Sequence, residues 1–141
     1  MRFFSWAKDG GPESTVDAYF ICEIKGLFSI AILKFNPGTR PAFHSHAFNA
    51  LTWFLSGTMV EQDASQREAV YSYHRSVVPK VTLRSKCHRV LAAETSWCFT
   101  VRGPWSKTWT EQDLKKGTLT TLGHGRRIIS TTRVDDQVAG R

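Results

Sequence analysis

The chain has 141 residues, which is enough to bury a hydrophobic core without disulfide or metal staples, so we expect one domain over residues 1–141. Its three cysteines form no CxxC pair, which argues against a disulfide framework and a thiolate zinc site and favours a reducing, cytoplasmic location. No apolar run reaches the length of a membrane span, and the N-terminus lacks the apolar core of a secretory signal.

The charge is distributed unevenly along the chain. Residues 1–70 contain six Lys/Arg and seven Asp/Glu, whereas residues 71–141 contain thirteen and five. A basic second half favours an anionic partner such as a nucleotide or an acid metabolite, although a solvated basic surface would give the same balance. Nucleic acid stays an open alternative, but the sequence contains no zinc finger, RNA-recognition motif or long basic run.

Taken in chain order, the sequence predicts strands separated by Gly and Pro turns. Residues 16–24 and 27–35 are rich in β-formers, and further candidate strands follow at 50–63, 69–76, 86–93 and 96–103. The single predicted helix covers residues 110–117, where Thr110 and Asp113 resemble a capping box. Many short strands at fairly even spacing predict an all-β sandwich or barrel with at most one or two short helices.

Two histidines lie two residues apart in the segment 36–57, NPGTRPAFHSHAFNALTWFLSG. Side chains two apart on a strand point to the same face, so His44 and His46 would share a face if this stretch is extended. Two imidazoles on one face form a candidate metal site. A lone histidine in an apolar strand, by contrast, is usually a hydrogen-bonded core residue.

The spacing Gly38, five residues, His44-x-His46, three residues, Ala50, six residues, Gly57 resembles the first motif of the cupin superfamily. The resemblance implies a single-domain cupin-like β-barrel, that is, a double-stranded β-helix or jelly roll. A second, degenerate motif around residues 79–103 offers one more histidine, His88. The chain departs from the family at the metal-binding glutamate, which is replaced by Ala50, and at the second motif's proline, glycine and asparagine, which are replaced by Leu83, Ser85 and Ala92.

The resemblance implies a divalent metal held by His44, His46 and His88, three neutral imidazoles without a carboxylate. This set resembles the iron site of the cysteine dioxygenase-like cupins, and imidazole also suits zinc and nickel. The implied function is a dioxygenase-like, metal-dependent enzyme that acts on a small anionic substrate. The segments FTVRGPWSKTW and LGHGRR also resemble small cupin-like proteins of bacteriophages.

Other residues are candidates for binding the ligand itself. Arginine forks match planar anions, and tryptophans can stack on a base or sugar, although a Trp pair can equally pack over the end of a barrel. A Gly-His-Gly turn followed by arginines can accept an anion, or it can be a flexible basic loop. The candidate ligand-binding residues are Arg84, Arg102, Trp105, Trp109, His124 and Arg126.

Two further functions stay open at this point. The missing glutamate favours a non-catalytic cupin that binds a small anionic ligand such as a nucleotide, whereas the intact His-x-His favours the enzyme. A third interpretation has the basic face binding protein or nucleic acid only. Since cupins often pair through edge strands, the resemblance also implies a homodimer.

Overall fold

The computed structural model describes residues 1–39, 42–63 and 78–134, together with the backbone of residues 68–72. Within these ranges, fourteen strands form two antiparallel sheets, and one 3-10 turn at His124–Arg126 is the only helical element. No helix of the described part has the length and apolar character needed to cross a membrane. The predicted all-β fold class, with at most one or two short helices, is confirmed.

The first sheet has six strands in the spatial order first, second, third, eleventh, sixth and ninth. Their bounds are β1 Arg2–Lys8, β2 Val16–Ile24, β3 Phe28–Phe35, β6 Ala50–Ser56, β9 Lys80–Thr82 and β11 Ser96–Arg102.

The second sheet has eight strands, and it runs from the fourteenth through the thirteenth, twelfth, fifth, tenth and seventh to the eighth. The fourth strand lies outside this series. Like the fifth strand, it pairs with the tenth. The bounds are β4 Gly38–Thr39, β5 Phe43–His44, β7 Thr58–Asp63, β8 Glu68–Ser72, β10 His88–Ala92, β12 Thr108–Asp113, β13 Thr118–Gly123 and β14 Ile128–Arg133.

The main core lies between the two sheets. It follows from strand alternation, since every second residue of β11, from Ser96 to Arg102, is buried and the residues between them are half-buried. Both sheets contribute apolar side chains to one buried cluster. Its members are Ala18, Phe20, Ala31, Leu33, Met59, Ala92 and Cys98.

Most of the predicted strands are present, and one of them is divided into two strands. The segment 50–63 forms two strands, β6 and β7, because Gly57 turns the chain at a φ of +85°. A Cβ at Gly57 would lie 2.7 Å from the Cα of Ser96, so the turn requires glycine. Of the predicted strand 69–76, residues 69–72 belong to β8, and residues 73–76 lie outside the described residues.

The predicted helix at 110–117 is wrong. Residues 110–113 belong to β12, which pairs with β13 on one side and with β5 on the other. The side chain of Asp113 accepts hydrogen bonds from the backbone N–H groups of Lys115 and Lys116, at 3.0 and 3.2 Å, and so shapes the hairpin turn. Ladder hydrogen bonds on both sides of β12 outweigh a weak local helix signal.

Candidate metal centre

Three imidazoles converge between the sheets. His44 ends β5, His88 begins β10, and these two residues are direct partners in the sheet register. His46 follows β5 by two residues. The ring centroids lie 5.0 Å apart for His44 and His46, 5.2 Å for His44 and His88, and 4.9 Å for His46 and His88. One nitrogen from each ring lies within 4.8 Å of the other two.

The donor set fits a divalent transition metal. Bonds of about 2.1 Å from a metal to two nitrogens place those nitrogens about 3.0 Å apart at a right angle and about 3.4 Å apart at the tetrahedral angle. The Nε2 atoms of His46 and His88 are 2.7 Å apart, so a small opening of this pair reaches ligand spacing. Three imidazoles suit iron, zinc, copper or nickel.

The segment that carries His46 is held by backbone hydrogen bonds. The N–H of Ser45 donates to the carbonyl of Thr110 at 2.9 Å, and the N–H of His46 donates to the carbonyl of Arg84 at 3.3 Å. The N–H of Arg84 in turn donates to the side-chain oxygen of Asn49 at 2.8 Å. His46 therefore points at His88 although it lies outside a strand, where alternation alone would not fix its direction.

A buried carboxylate lies behind His88. Oε2 of Glu61, on β7, lies 2.8 Å from Nδ1 of His88. Glu61 is 3% exposed and also accepts hydrogen bonds from Lys80 and Lys86. A carboxylate at Nδ1 favours the tautomer whose Nε2 lone pair faces the other histidines.

The protonation states suit a ligand site. Burial on its own would raise the pKa of Glu61, but the close contact with His88 and the hydrogen bonds from Lys80 and Lys86 lower the pKa well below the ordinary value, so this carboxylate stays ionised. Burial lowers the pKa of His46 well below its usual range, and the neighbouring His44 and His88 lower it further. His46 is therefore neutral near pH 7, as a metal ligand must be.

The three histidines border a small cavity of about 120 Å³. Ala50, at the position where cupins have their glutamate, also lines it, and its methyl group cannot bind a metal. Two acidic and two basic side chains line the same cavity: Asp9, Glu61, Lys80 and Arg102. The formal charges of these four side chains sum to zero. A divalent metal ion would therefore give the site a net charge of +2.

The arginines predicted to bind a ligand have other partners or positions. Arg102 is 2% exposed and lines the cavity, but its guanidinium binds the carboxylate of Asp9 through two contacts of 3.2 and 2.5 Å and lies 4.7 Å from the ring centre of Phe48. Arg84 is exposed and lines neither of the cavities beside the histidines. Sequence reasoning did not anticipate that Asp9 engages Arg102.

A second cavity of about 310 Å³ adjoins the first and shares four lining residues with it, namely Asp9, His44, His46 and Phe48. The predicted residues Trp105, Trp109 and Arg126 also line this cavity. The two Trp rings meet edge to face at 5.9 Å and pack against the small buried cluster of Ala47, Phe48 and Ala50.

Charged groups complete the wall of the second cavity. The ammonium of Lys25 lies 4.8 Å from the ring centre of Trp105, and one guanidinium nitrogen of Arg126 contacts both oxygens of Glu111 at 2.8 Å. His124 is exposed and stacks on Trp105 at 6.1 Å, but it does not line the cavity. Arg126 therefore pairs with a carboxylate of the cavity wall, and its role in binding a ligand stays a prediction.

Sequence reasoning missed the residues that support the histidines. Glu61 lies two positions after Met59 on β7, so the two share the inward face, and an acidic residue in register with a buried methionine was the available signal. Lys80 belongs to a strand of three residues that carries no usable pattern. Its partner, Glu61, is nineteen residues earlier in the chain.

The comparisons with known proteins bear on the fold. No protein-family model matches the chain, and no curated protein matches it in sequence. Solved structures do resemble it. One of them is a sugar phosphate isomerase of the cupin superfamily from Silicibacter pomeroyi, which is 13% identical to this chain. The match covers 86% of this chain and 78% of that chain, with a TM-score of 0.56.

Two further structures agree with the first. A cupin superfamily protein from Desulfitobacterium hafniense is 11% identical over 68% of this chain and 84% of that one, with a TM-score of 0.52. The protein KdgF from Halomonas sp. is 14% identical over 73% and 94%, also with a TM-score of 0.52. Because identities this low establish shape and not activity, they identify the architecture only: the chain has the cupin fold that the motif from Gly38 to Gly57 predicted.

Proposed function

We propose that this protein is a small metal-dependent cupin enzyme, dioxygenase-like, that acts on a small anionic substrate at a metal held by His44, His46 and His88. The observation that carries the proposal is the convergence of three imidazoles, two from the segment around β5 and one from β10, beside a cavity. Bound iron would supply oxygen activation, and bound zinc would supply Lewis-acid chemistry.

The charge of the site supports an anionic substrate. With neutral imidazoles and a balanced cavity lining, a divalent ion would leave the site with an excess positive charge, which an anionic substrate would neutralise. Ala50 leaves space beside the histidines where a carboxylate would otherwise stand. The substrate's own carboxylate can occupy that space.

The remaining groups have positioning roles in this proposal. Glu61 holds the ring of His88, while Lys80 and Lys86 keep Glu61 ionised. Arg102 and Asp9 form a paired wall that presents no unbalanced charge. The larger second cavity leads past Phe48 and Trp105 to His44 and His46, so it is the side from which a substrate would approach.

The experiment begins with elemental analysis of the purified protein and of protein reloaded with Fe(II), Zn(II) or Ni(II). Oxygen consumption by the Fe(II)-loaded protein is then measured with a panel of small carboxylates and thiol carboxylates. We expect one metal per chain and substrate-dependent oxygen uptake that His44→Ala abolishes. Metal binding without oxygen uptake on any compound would contradict the dioxygenase assignment and keep the metal site.

A second candidate function rests on the aromatic wall of the second cavity. Trp105 and Trp109, with Lys25 over one ring, could hold a small anionic ligand such as a nucleotide without any reaction. Ligand binding of this kind raises the melting temperature by mass action. A shift caused by nucleotides in metal-free protein, lost in Trp105→Ala, would favour this alternative.

A further inference from the structure

Arg102 presents a buried guanidinium fork that is occupied by one carboxylate. Its side chain is 3% exposed, and its guanidinium lies 4.7 Å from the ring centre of Phe48 and 5.9 Å from that of Phe20. These two rings limit the movement of the guanidinium. Nη1 and Nη2 contact the two carboxylate oxygens of Asp9, at 3.2 and 2.5 Å. This two-point contact is the geometry in which arginine binds any planar carboxylate.

The fork adjoins the space that the proposed function assigns to the anionic end of the substrate. In the sheet register, Arg102 is the direct partner of Ala50 on β6. Both residues line the cavity that the three histidines border. A carboxylate that entered the space left by Ala50 would therefore have the guanidinium of Arg102 as a neighbour.

Asp9 is held less firmly than the arginine that it contacts. Its side chain is 29% exposed, and it directly follows β1. Its backbone N–H donates to the carbonyl of Val16 at 2.8 Å, so the carboxylate can leave Arg102 by rotation of the side chain while the backbone stays in place. Asp9 lines both cavities, so the rotated carboxylate would stay close to solvent and to the second cavity.

Another buried ion pair of the same sheet has the opposite arrangement. Nε of Arg2 contacts Oε1 of Glu23 at 2.8 Å, and there the arginine side chain is 38% exposed while the carboxylate side chain is 3% exposed. In that pair the arginine is the partner that can reach water. In the pair of Arg102 and Asp9, the carboxylate is that partner, so a different anion could replace it.

The energetics of burial favour an exchange of anions at Arg102. Removing the partner of a buried charge is strongly destabilising, because nothing then offsets the lost hydration of that charge. An incoming anion that replaces Asp9 keeps Arg102 paired and returns the carboxylate of Asp9 to water. A neutral molecule cannot make this exchange. The pair would therefore select anions over neutral molecules of the same shape.

We propose that Asp9 is a built-in competitor for the anionic end of the substrate. Its carboxylate holds the fork of Arg102 until the carboxylate of the substrate takes its place. The apparent affinity of the site for a carboxylate is then reduced by the fraction of molecules in which Asp9 occupies the fork. That the incoming carboxylate belongs to a substrate rests on the proposed function, whereas the exchange itself needs no metal.

Acetate tests the exchange in metal-free protein. Asp9→Ala removes the competitor, so acetate should bind at least 10-fold more tightly to this variant than to the wild type. Acetate at ten times its Kd should raise the melting temperature of Asp9→Ala by roughly 3–6 °C, because only the folded state binds it. Melting curves are recorded from about 1 to 100 mM acetate, with sodium chloride at equal ionic strength as the reference.

Three controls isolate the fork. Asp113→Ala removes the same charge at a residue that lines neither cavity, so it should respond to acetate as the wild type does. Acetamide, a neutral molecule of the same shape, should leave every melting temperature unchanged. The double variant Asp9→Ala, Arg102→Met should lose the response to acetate.

Each alternative outcome is distinct. If Asp9→Ala gains no affinity for acetate, or if acetamide or the double variant gives the same shift, the pair is only structural and the proposal is overturned. If circular dichroism shows that Asp9→Ala is unfolded, Asp9→Asn, which keeps a hydrogen-bonding group without the charge, decides the question by the same comparison. Protein that binds no metal but shows the acetate effect would keep the exchange and contradict the proposed enzyme.

Discussion

The space between the two sheets has an apolar end and a polar end, and β11 contributes to both. Cys98 lies fully buried among Ala18, Leu33 and Met59, whereas Arg102, four residues further along the same strand, is paired with a carboxylate and lies beside the histidine cavity. The apolar end gains free energy by removing hydrocarbon from water. The polar end buries groups that are costly to desolvate, which is typical of a functional site.

The largest effect should come from removing a ligand at the polar end. His88→Ala should weaken Zn(II) binding by more than 100-fold, because two imidazoles cannot replace three. The fold should be retained, since Lys80 and Lys86 still satisfy Glu61. Titration calorimetry measures the affinity, and His124→Ala, an exposed histidine outside the cluster, is the control. Equal affinity in the two variants would contradict the site.

The apolar end should respond in stability and not in metal binding. Leu33→Ala removes a side chain that is 6% exposed, and it should lower the free energy of unfolding by about 2–5 kcal/mol. Leu27→Ala, at a side chain that is 62% exposed, should change it by less than about 0.5 kcal/mol. Urea denaturation compares the two. A large loss of metal affinity in refolded Leu33→Ala would show that the two ends are coupled.

Glu61 sharpens the comparison because it is buried at the polar end without being a ligand. Glu61→Gln should weaken metal binding by about 10- to 100-fold, since the amide no longer holds the His88 tautomer as a carboxylate does. The exposed Glu94→Gln serves as the matched control. If Glu61→Gln leaves the metal affinity unchanged, Glu61 does not orient His88 for metal binding and only balances charge in the core.

The smallest effect concerns pH in the metal-free protein. Because the folded state lowers the pKa of His46, the unfolded chain binds more protons than the folded chain once the pH falls below about 6.5. The free energy of unfolding should therefore decrease as the pH falls from about 6.5 to the lowered pKa, by at most about 1.4 kcal/mol per pH unit.

The pH effect can be isolated with one substitution. His46→Gln cannot take up this proton, so urea denaturation at pH 7.5, 6.5 and 5.5 should give a shallower dependence than in the wild type. His124→Gln, at an exposed residue, should keep the wild-type slope. If the free energy of unfolding depends on pH equally in wild type and His46→Gln, folding does not lower the pKa of His46.

The sequence predicted the centre of the fold well because the signals there are local. Alternation over 96–103 and the β-rich run 16–24 depend only on neighbouring residues, and the structure has strands at Ser96–Arg102 and Val16–Ile24. The motif glycines Gly38 and Gly57 both have positive φ, at +120° and +85°. Glycine at these two positions is a local signal for a turn, because positive φ is costly for other residues.

Other features depend on contacts between distant segments and could not be predicted. β12 is a strand because β5, more than sixty residues earlier, pairs with it. The pairing of Arg102 with Asp9, ninety-three residues earlier in the chain, has no signal in the sequence either. A single sequence does not reveal which acidic side chain will pair with a given arginine. Arginines therefore cannot be assigned to a ligand before the fold is known.

The most direct test of the three-histidine site is a crystal structure of the protein grown with Co(II) or Zn(II), with an anomalous map at the metal edge. The account predicts one strong peak about 2.0–2.2 Å from a nitrogen of each of His44, His46 and His88, with at least one further coordination position not supplied by protein. The account would be contradicted if, at saturating metal, the three imidazoles converge but no anomalous peak lies between them and His46 and His88 remain in direct contact.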